Sequence, residues 1–225
     1  SDIDDIIGAV NRGLVYRYIT KPWEQLEVSN ALKTAIEYYH ELVESRRLLR
    51  EAEVVNRIMT VVAGESDTER VVEATLAVAV TDLGYDRAYL FDYDEPSGHL
   101  VRGRAAAKEG EGLPSLDKMR IPVLQGGGLL ATVALTMQSA RSSEGPHAPG
   151  GVEIAVANRK TTLAVPIGTG KPLGVLAAEL SRANSRDFSS SDELTLATIS
   201  EVLSVSMTQS RRLAELKALQ AEDSV

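Results

Sequence analysis

The chain has no cysteine. That absence removes disulfide staples, thiolate nucleophiles, cysteine-ligated zinc and thioether-linked chromophores together, and it fits a reducing compartment. Aromatic side chains are scarce too, at 4% of 225 residues with one tryptophan and two phenylalanines. A core made from this chain is therefore one of Val, Leu, Ala and Ile, and stacking partners for a purine ring are few. No apolar run reaches the ~18 residues of a membrane span. The acidic start Ser1-Asp2-Ile3-Asp4-Asp5 carries no signal-peptide pattern, so a cytoplasmic protein with no membrane partner is expected. Basic residues neither dominate nor cluster. A net charge of −8 argues against bulk attraction to nucleic acid or anionic lipid, and the pairs Arg46-Arg47 and Arg211-Arg212 read as solvated helix faces. The histidines His40, His99 and His147 are scattered. No Ser-His-Asp spacing or paired carboxylate site stands out, so no catalytic residue and no metal site is expected.

What the chain does have is punctuated periodicity. The most sheet-like stretch is Thr161–Leu180. There Leu163, Val165 and Ile167 alternate with Thr162, Ala164 and Pro166, the period of a strand. Gly168-Thr169-Gly170-Lys171-Pro172 breaks the run with turn chemistry, and Leu173–Leu180 forms a second strand. A second hairpin is expected from Arg87–Asp94, the turn Glu95-Pro96-Ser97-Gly98, and His99–Ala107. Residues 119–123 read as a short extended piece, and 139–151, polar and rich in Pro and Gly, as a loop.

Helical spacing fills the rest. From Glu24 to about Ala63 the apolar positions Leu32, Ile36, Tyr39 and Val43, then Leu48, Ala52, Val55, Met59 and Val62, follow steps of three and four, with one skip between Val43 and Leu48. A helix of that length calls for a second copy beside it, so a parallel dimer is expected; its second half also serves as the first helix of the following domain. Thr68–Leu83 is an amphipathic helix closed by Gly84. Gly126-Gly127-Gly128 leads into a short helix over Leu129–Thr136. The Walker pattern needs Gly-Lys-Ser/Thr, which is missing here, so the glycines read as a flexible lead-in to a helix that covers a pocket. Phe188-Ser189-Ser190-Ser191-Asp192-Glu193 is a capped helix start. The helix then runs through Leu194, Leu196, Ile199, Leu203 and Met207, and Leu213, Leu216 and Leu219 continue it as a second coil.

Two resemblances follow from these residues. Ala9–Trp23, AVNRGLVYRYITKPW, with a helix before it and a helix after it, resembles the last part of a two-component receiver domain. That resemblance implies that Lys21 is the lysine that contacts a phosphorylated aspartate, that Tyr18 is the aromatic whose rotamer follows phosphorylation, and that a sensor kinase is a partner of the full receiver. It also implies a frequently cis Lys21–Pro22 bond. The acidic pair and phosphoacceptor of such a domain have no counterpart in this chain. The succession of elements over residues 50–210, carried by YDRAYLF from Tyr85, GLLATVA from Gly128, and LAVPIGTGKPLGVLAAEL running into DFSSSDELTLATISEVLSVSM, resembles the GAF family of small-molecule sensor domains.

The GAF resemblance implies an α+β fold: a six-stranded antiparallel sheet with helices on one face that pair in a dimer, and a pocket on the other face under Met119–Arg141. Candidate pocket residues are Met119, Ile121, Leu130, Val133, Thr136 and Thr162, since a small site is mostly apolar with few polar handles. Redox enzymes of the family, and bilin sensors of the covalent type, need the cysteines this chain lacks. Cyclic-nucleotide-binding members carry Asn-Lys followed by Phe-x-x-x-Asp-Glu. Phe188, Asp192 and Glu193 match the second half, but Ser181-Arg182 stands at the first. The expected organisation is a receiver fragment over 1–35, a signalling helix over 36–55, a GAF domain over 56–208 and a coiled-coil helix over 209–225. The expected function is that of a non-enzymatic cytoplasmic module of response-regulator type. Its GAF domain senses a small ligand or relays receiver phosphorylation through dimeric helices. The alternatives are a dimerising spacer with a closed pocket, and a cyclic-nucleotide-binding domain.

Overall fold

In the computed structural model, which describes residues 21–65, 67–116, 118–143 and 159–222, the elements succeed one another as α1 (Gln25–Gly64), α2 (Thr68–Thr81), β1 (Arg87–Asp94), β2 (His99–Ala107), β3 (Ile121–Pro122), α3 (Gly128–Thr136), β4 (Ala140–Ser143), β5 (Arg159–Ile167), β6 (Gly174–Ser181) and α4 (Ser190–Glu222). The chain divides into two units, Ser1–Arg50 and Glu51–Val225, with the division falling inside α1. In the first unit the Lys21–Pro22 peptide is cis. Lys21 is exposed, with its ammonium 5.3 Å from the centre of the Trp23 ring. Tyr18 and the expected strand over 14–20 lie outside the described residues. Along α1 in this unit Leu32, Ile36, Tyr39, Leu42 and Val43 are exposed and form an apolar stripe.

The second unit is built on a six-stranded antiparallel sheet in the order β3-β2-β1-β6-β5-β4. Alternation sorts each strand between two cores. Leu90, Leu163, Val165, Ile167, Leu176, Ala178 and Leu180 point to one face. There they meet Val54 and Ile58 of α1, Val72, Leu76 and Ala79 of α2, and Leu196, Ile199, Leu203 and Met207 of α4. Each such Leu, Ile or Val contributes ~1.5–3 kcal/mol by leaving water. The opposite face carries Tyr89, Phe91, Ala164, Val175 and Ala177, covered by Leu130, Ala131, Val133 and Ala134 of α3 together with Leu116 and Ile121. β6 is thus buried along its whole length.

Two differences from the expected elements have local causes. The segment expected as a loop from Ser139 begins with a strand, β4, which pairs with β5 through Ala140↔Ala164 to Ser143↔Thr161. Its four residues lack an apolar alternation, so the neighbour's backbone rather than their own pattern makes the strand. The triple glycine turns a corner. Gly126 and Gly128 take positive φ of 80° and 88°, and a Cβ on Gly127 would meet Ala131 Cβ at 2.7 Å and the Pro122 carbonyl at 2.8 Å. The amide of Gly127 is already donated to Leu124 O. Close packing, not anion binding, accounts for these glycines.

The start of α4 is held by a capping box. Ser189 N and Oγ donate to Asp192 Oδ2, both at 2.7 Å, and Asp192 N reaches back to Ser189 Oγ at 3.2 Å. Arg186 Nη1 donates to Asp192 Oδ1 at 2.9 Å, Tyr85 Oη donates to the same oxygen at 3.2 Å, and the Arg186 guanidinium lies 5.2 Å from the Tyr85 ring centre. The Phe188 ring packs on Tyr85 at 5.5 Å. Burial pushes the Asp192 carboxyl up, but the Ser189 and Arg186 hydrogen bonds outweigh it and hold the group below the ordinary carboxylate range. A depressed folded-state pKa stabilises the protein above the unfolded value and is lost as pH falls through the folded one. Asp192→Asn should therefore lower the thermal midpoint at neutral pH and flatten its decline from about pH 5 to about pH 2. Parallel melting curves for variant and parent across that range would show the clasp to be electrostatically idle.

Candidate functional site

Arg87, at the start of β1, is the largest of the fully buried side chains, and Glu179 of β6 is 1% exposed. The two residues are cross-strand partners in the β1–β6 ladder, on the face that also bears Tyr89 and Ala177. Arg87 Nη1 lies 3.5 Å from Glu179 Oε2. Arg87 Nη2 reaches Glu111 Oε2 at 2.5 Å and Arg87 Nε donates to Gly112 O at 2.9 Å. Glu179 in turn accepts from Tyr89 Oη at 2.9 Å and from Thr162 Oγ1 at 3.4 Å. Three adjacent strands, β1, β6 and β5, thus place a guanidinium, a carboxylate, a phenol and an aliphatic hydroxyl together, and the Glu111–Gly112 loop closes over Arg87.

Charged groups do not stay inside a protein without partners. This cluster is the polar half of a face whose other half is apolar, and Arg87, Tyr89, Thr162 and Glu179 are all buried in it. Among the described residues no group of three or more His, Asp or Glu is placed to hold a metal ion, and no helix is long and apolar enough to cross a membrane.

Of the residues singled out from the sequence, Thr162 belongs to this cluster. Ile121, Leu130 and Val133 lie in the apolar half, with Met119 partly buried against it. Thr136 is exposed, and its hydroxyl returns to Thr132 O at 2.8 Å. Arg87 and Glu179 were missed. A charge on a strand ordinarily signals a solvent-facing position, and the available sign was parity: Arg87 shares its face with Tyr89 and Phe91, and Glu179 shares its face with Val175 and Ala177.

The half-signature Phe188-x-x-x-Asp192-Glu193 also has a place. Phe188 sits in the helix-side core, Asp192 caps α4, and Glu193 is bound by Ser139 Oγ and by Arg141 Nη2 at 2.9 Å. Those bonds, Ser139's first, hold the Glu193 carboxyl below its usual range. Burial, and then the Asp192 charge, push the Tyr85 phenol far above its ordinary value, so it remains a hydrogen-bond donor at any working pH.

The second unit thus carries helices on one face of a curled antiparallel sheet, and a second core with a polar cluster on the other. The GAF domain model matches residues 67–207, more than half of the chain, and the chain belongs to the GAF domain family. The GAF domain of a phosphoenolpyruvate-protein phosphotransferase from Coxiella burnetii superposes with a TM-score of 0.64 at 20% identity, covering 74% of this chain and 98% of that one. A free methionine-R-sulfoxide reductase from Neisseria meningitidis, solved with its substrate, gives 0.59 at 22% identity over 72% and 91%. Residues 122 to 287 of a methyl-accepting chemotaxis protein give 0.57 at 17% over 69% and 98%. These likenesses concern the fold. No curated protein sequence matches the chain.

Removing one member of a buried ion pair strands the other charge and costs about 3–5 kcal/mol. Arg87→Met and Glu179→Gln should each destabilise the domain by that order in urea melts, and the double variant should lose clearly less than the sum of the two. Additive losses would show that the two groups do not interact across the ladder.

Proposed function

We propose that this chain is a regulatory module of response-regulator type in which the GAF domain senses a small polar molecule at Arg87, Tyr89, Thr162 and Glu179. The observation that carries this reading is the expenditure of a buried guanidinium and a buried carboxylate on the far face of the sheet, where apolar residues would have sealed the fold at lower cost. A ligand that hydrogen-bonds to either group competes with the ion pair and gives the domain two arrangements to choose between. The change passes along α1 and α4, paired with the same helices of a second copy, and a sensor kinase acts through the receiver whose final motif, Ala9–Trp23, contains Lys21. The exposed stripe of Leu32, Ile36, Tyr39 and Val43 on α1 supports the homodimer. We read the domain as non-enzymatic and cytoplasmic. A reductase shares the fold, but this chain has no thiol to offer such chemistry.

The closed-spacer alternative draws on a specific observation: Ile121, Leu130 and Val133 are packed into core, which fills the apolar part of the expected pocket. Cyclic-nucleotide binding draws less support, because Phe188, Asp192 and Glu193 are occupied in holding the start of α4.

A thermal-shift panel of small polar metabolites, amino acids and cyclic nucleotides separates these readings. A true ligand at about 100 times its Kd adds ~2.7 kcal/mol, a rise of ~5–10 °C for a domain of this size, and Arg87→Met should abolish it. No rise across the panel favours the spacer. For the dimer, Ile36→Glu with Val43→Glu should halve the solution mass by light scattering while leaving the GAF unit folded; an unchanged mass would count against association through α1.

A further inference from the structure

The β1–β6 ladder that carries Arg87↔Glu179 at one end runs to Asp92↔Gly174 at the other, and one step further Tyr93 N donates to Leu173 O at 2.8 Å. At that far end a single nitrogen of α4, Arg211 Nη2, donates to Tyr93 O at 2.9 Å and to Leu173 O at 3.1 Å. Leu173 also closes the β5–β6 turn, its amide donating to Ile167 O at 2.7 Å. Arg211 follows Met207, the last core residue of α4, by one helical turn, and beyond it Arg212, Leu213 and Leu216 are exposed. It is therefore the final point at which α4 is fastened to the sheet among the described contacts.

From these placements we infer that Arg211 is a latch that fastens the distal part of α4 only while β1 and β6 hold their present register. One guanidinium nitrogen can serve two carbonyls only if both stand at hydrogen-bond distance together. A slip of one strand against the other, which moves Tyr93 O relative to Leu173 O, breaks at least one of the two bonds. Strand residues rise by ~3.3 Å each, so the six steps from Arg87 to Tyr93 carry the register of the charged pair across about 20 Å. Release has a ready substitute. Arg211 lines an open groove of about 680 Å³ with Asp94, Arg102, Met207 and Ser210, where water can replace the carbonyls. Arg211 is thus a positioning residue. It supplies the mechanical step of the sensing reading above, and depends on that reading only for what moves the strands.

Hydrogen exchange on the full chain tests the latch without any ligand, so a failed ligand screen does not bear on it. In Arg211→Gln the amides of residues 212–222 should exchange about tenfold faster while those of 194–207 keep parental rates. Glu179→Gln should accelerate the same distal amides when Arg211 is present and add nothing in the Arg211→Gln background. Tyr89→Phe replaces Glu179→Gln if the latter does not fold. Unchanged distal exchange in Arg211→Gln overturns the proposal, as does an effect of the β1–β6 substitution that simply adds to that of Arg211→Gln.

Discussion

A carboxylate enclosed on all sides must be met by positive charge and by donors, and Glu179 imposes that requirement at the centre of the sheet. β6 lies between β1 and β5 with helices on both faces, so none of its side chains reaches bulk water. Seven of its positions are small or apolar, or end the strand. The remaining one fixes what its neighbours have to be: an arginine across the ladder on β1, a tyrosine two residues along, and a threonine on β5. The Glu111–Gly112 loop is drawn in as well, because Arg87 has more donors than Glu179 can use. The two cores follow from strand alternation; the polar cluster follows from one residue that breaks it.

The architecture was largely legible from periodicity and punctuation. Both hairpins, the long α1, the capped start of α4 and the short α3 lie within a few residues of where spacing and turn chemistry placed them, because each carries its own local signal. β4 was not legible, since its four residues become a strand through the backbone of β5. The far-face site was legible only in part. Thr162 supplies one of the few polar handles such a site calls for, but Arg87 and Glu179 carry no local mark, because charge in a strand is ordinarily solvent-facing, and only a sheet covered on both faces reverses that expectation. The apolar candidates show the complementary limit: the pattern of Ile121, Leu130 and Val133 identifies an inward face without distinguishing a lining from a filling.

The Phe-x-x-x-Asp-Glu segment shows how a recognisable pattern can serve the scaffold. Its phenylalanine packs on Tyr85, its aspartate closes the capping box, and its glutamate is bridged to β4 by Arg141, which also donates to the carbonyls of Phe188 and Ser189 at 2.9 and 2.8 Å. Strand edge, helix start and aromatic pair are thereby joined in one hydrogen-bonded unit at the opposite end of α4 from Arg211. The helix is gripped at both ends of its buried stretch by arginines that read backbone carbonyls.

The margins of the sheet also govern how copies of the protein can meet. One border is the two-residue β3, whose Pro122 has no amide hydrogen to offer. The other is the four-residue β4, whose Arg141 side chain is engaged with the start of α4. Among the described residues neither of these strands gives a neighbouring chain a long, flat row of vacant backbone groups, the template on which ribbons and fibrils grow. Growth of a continuous ribbon from either of these two strands is thereby disfavoured.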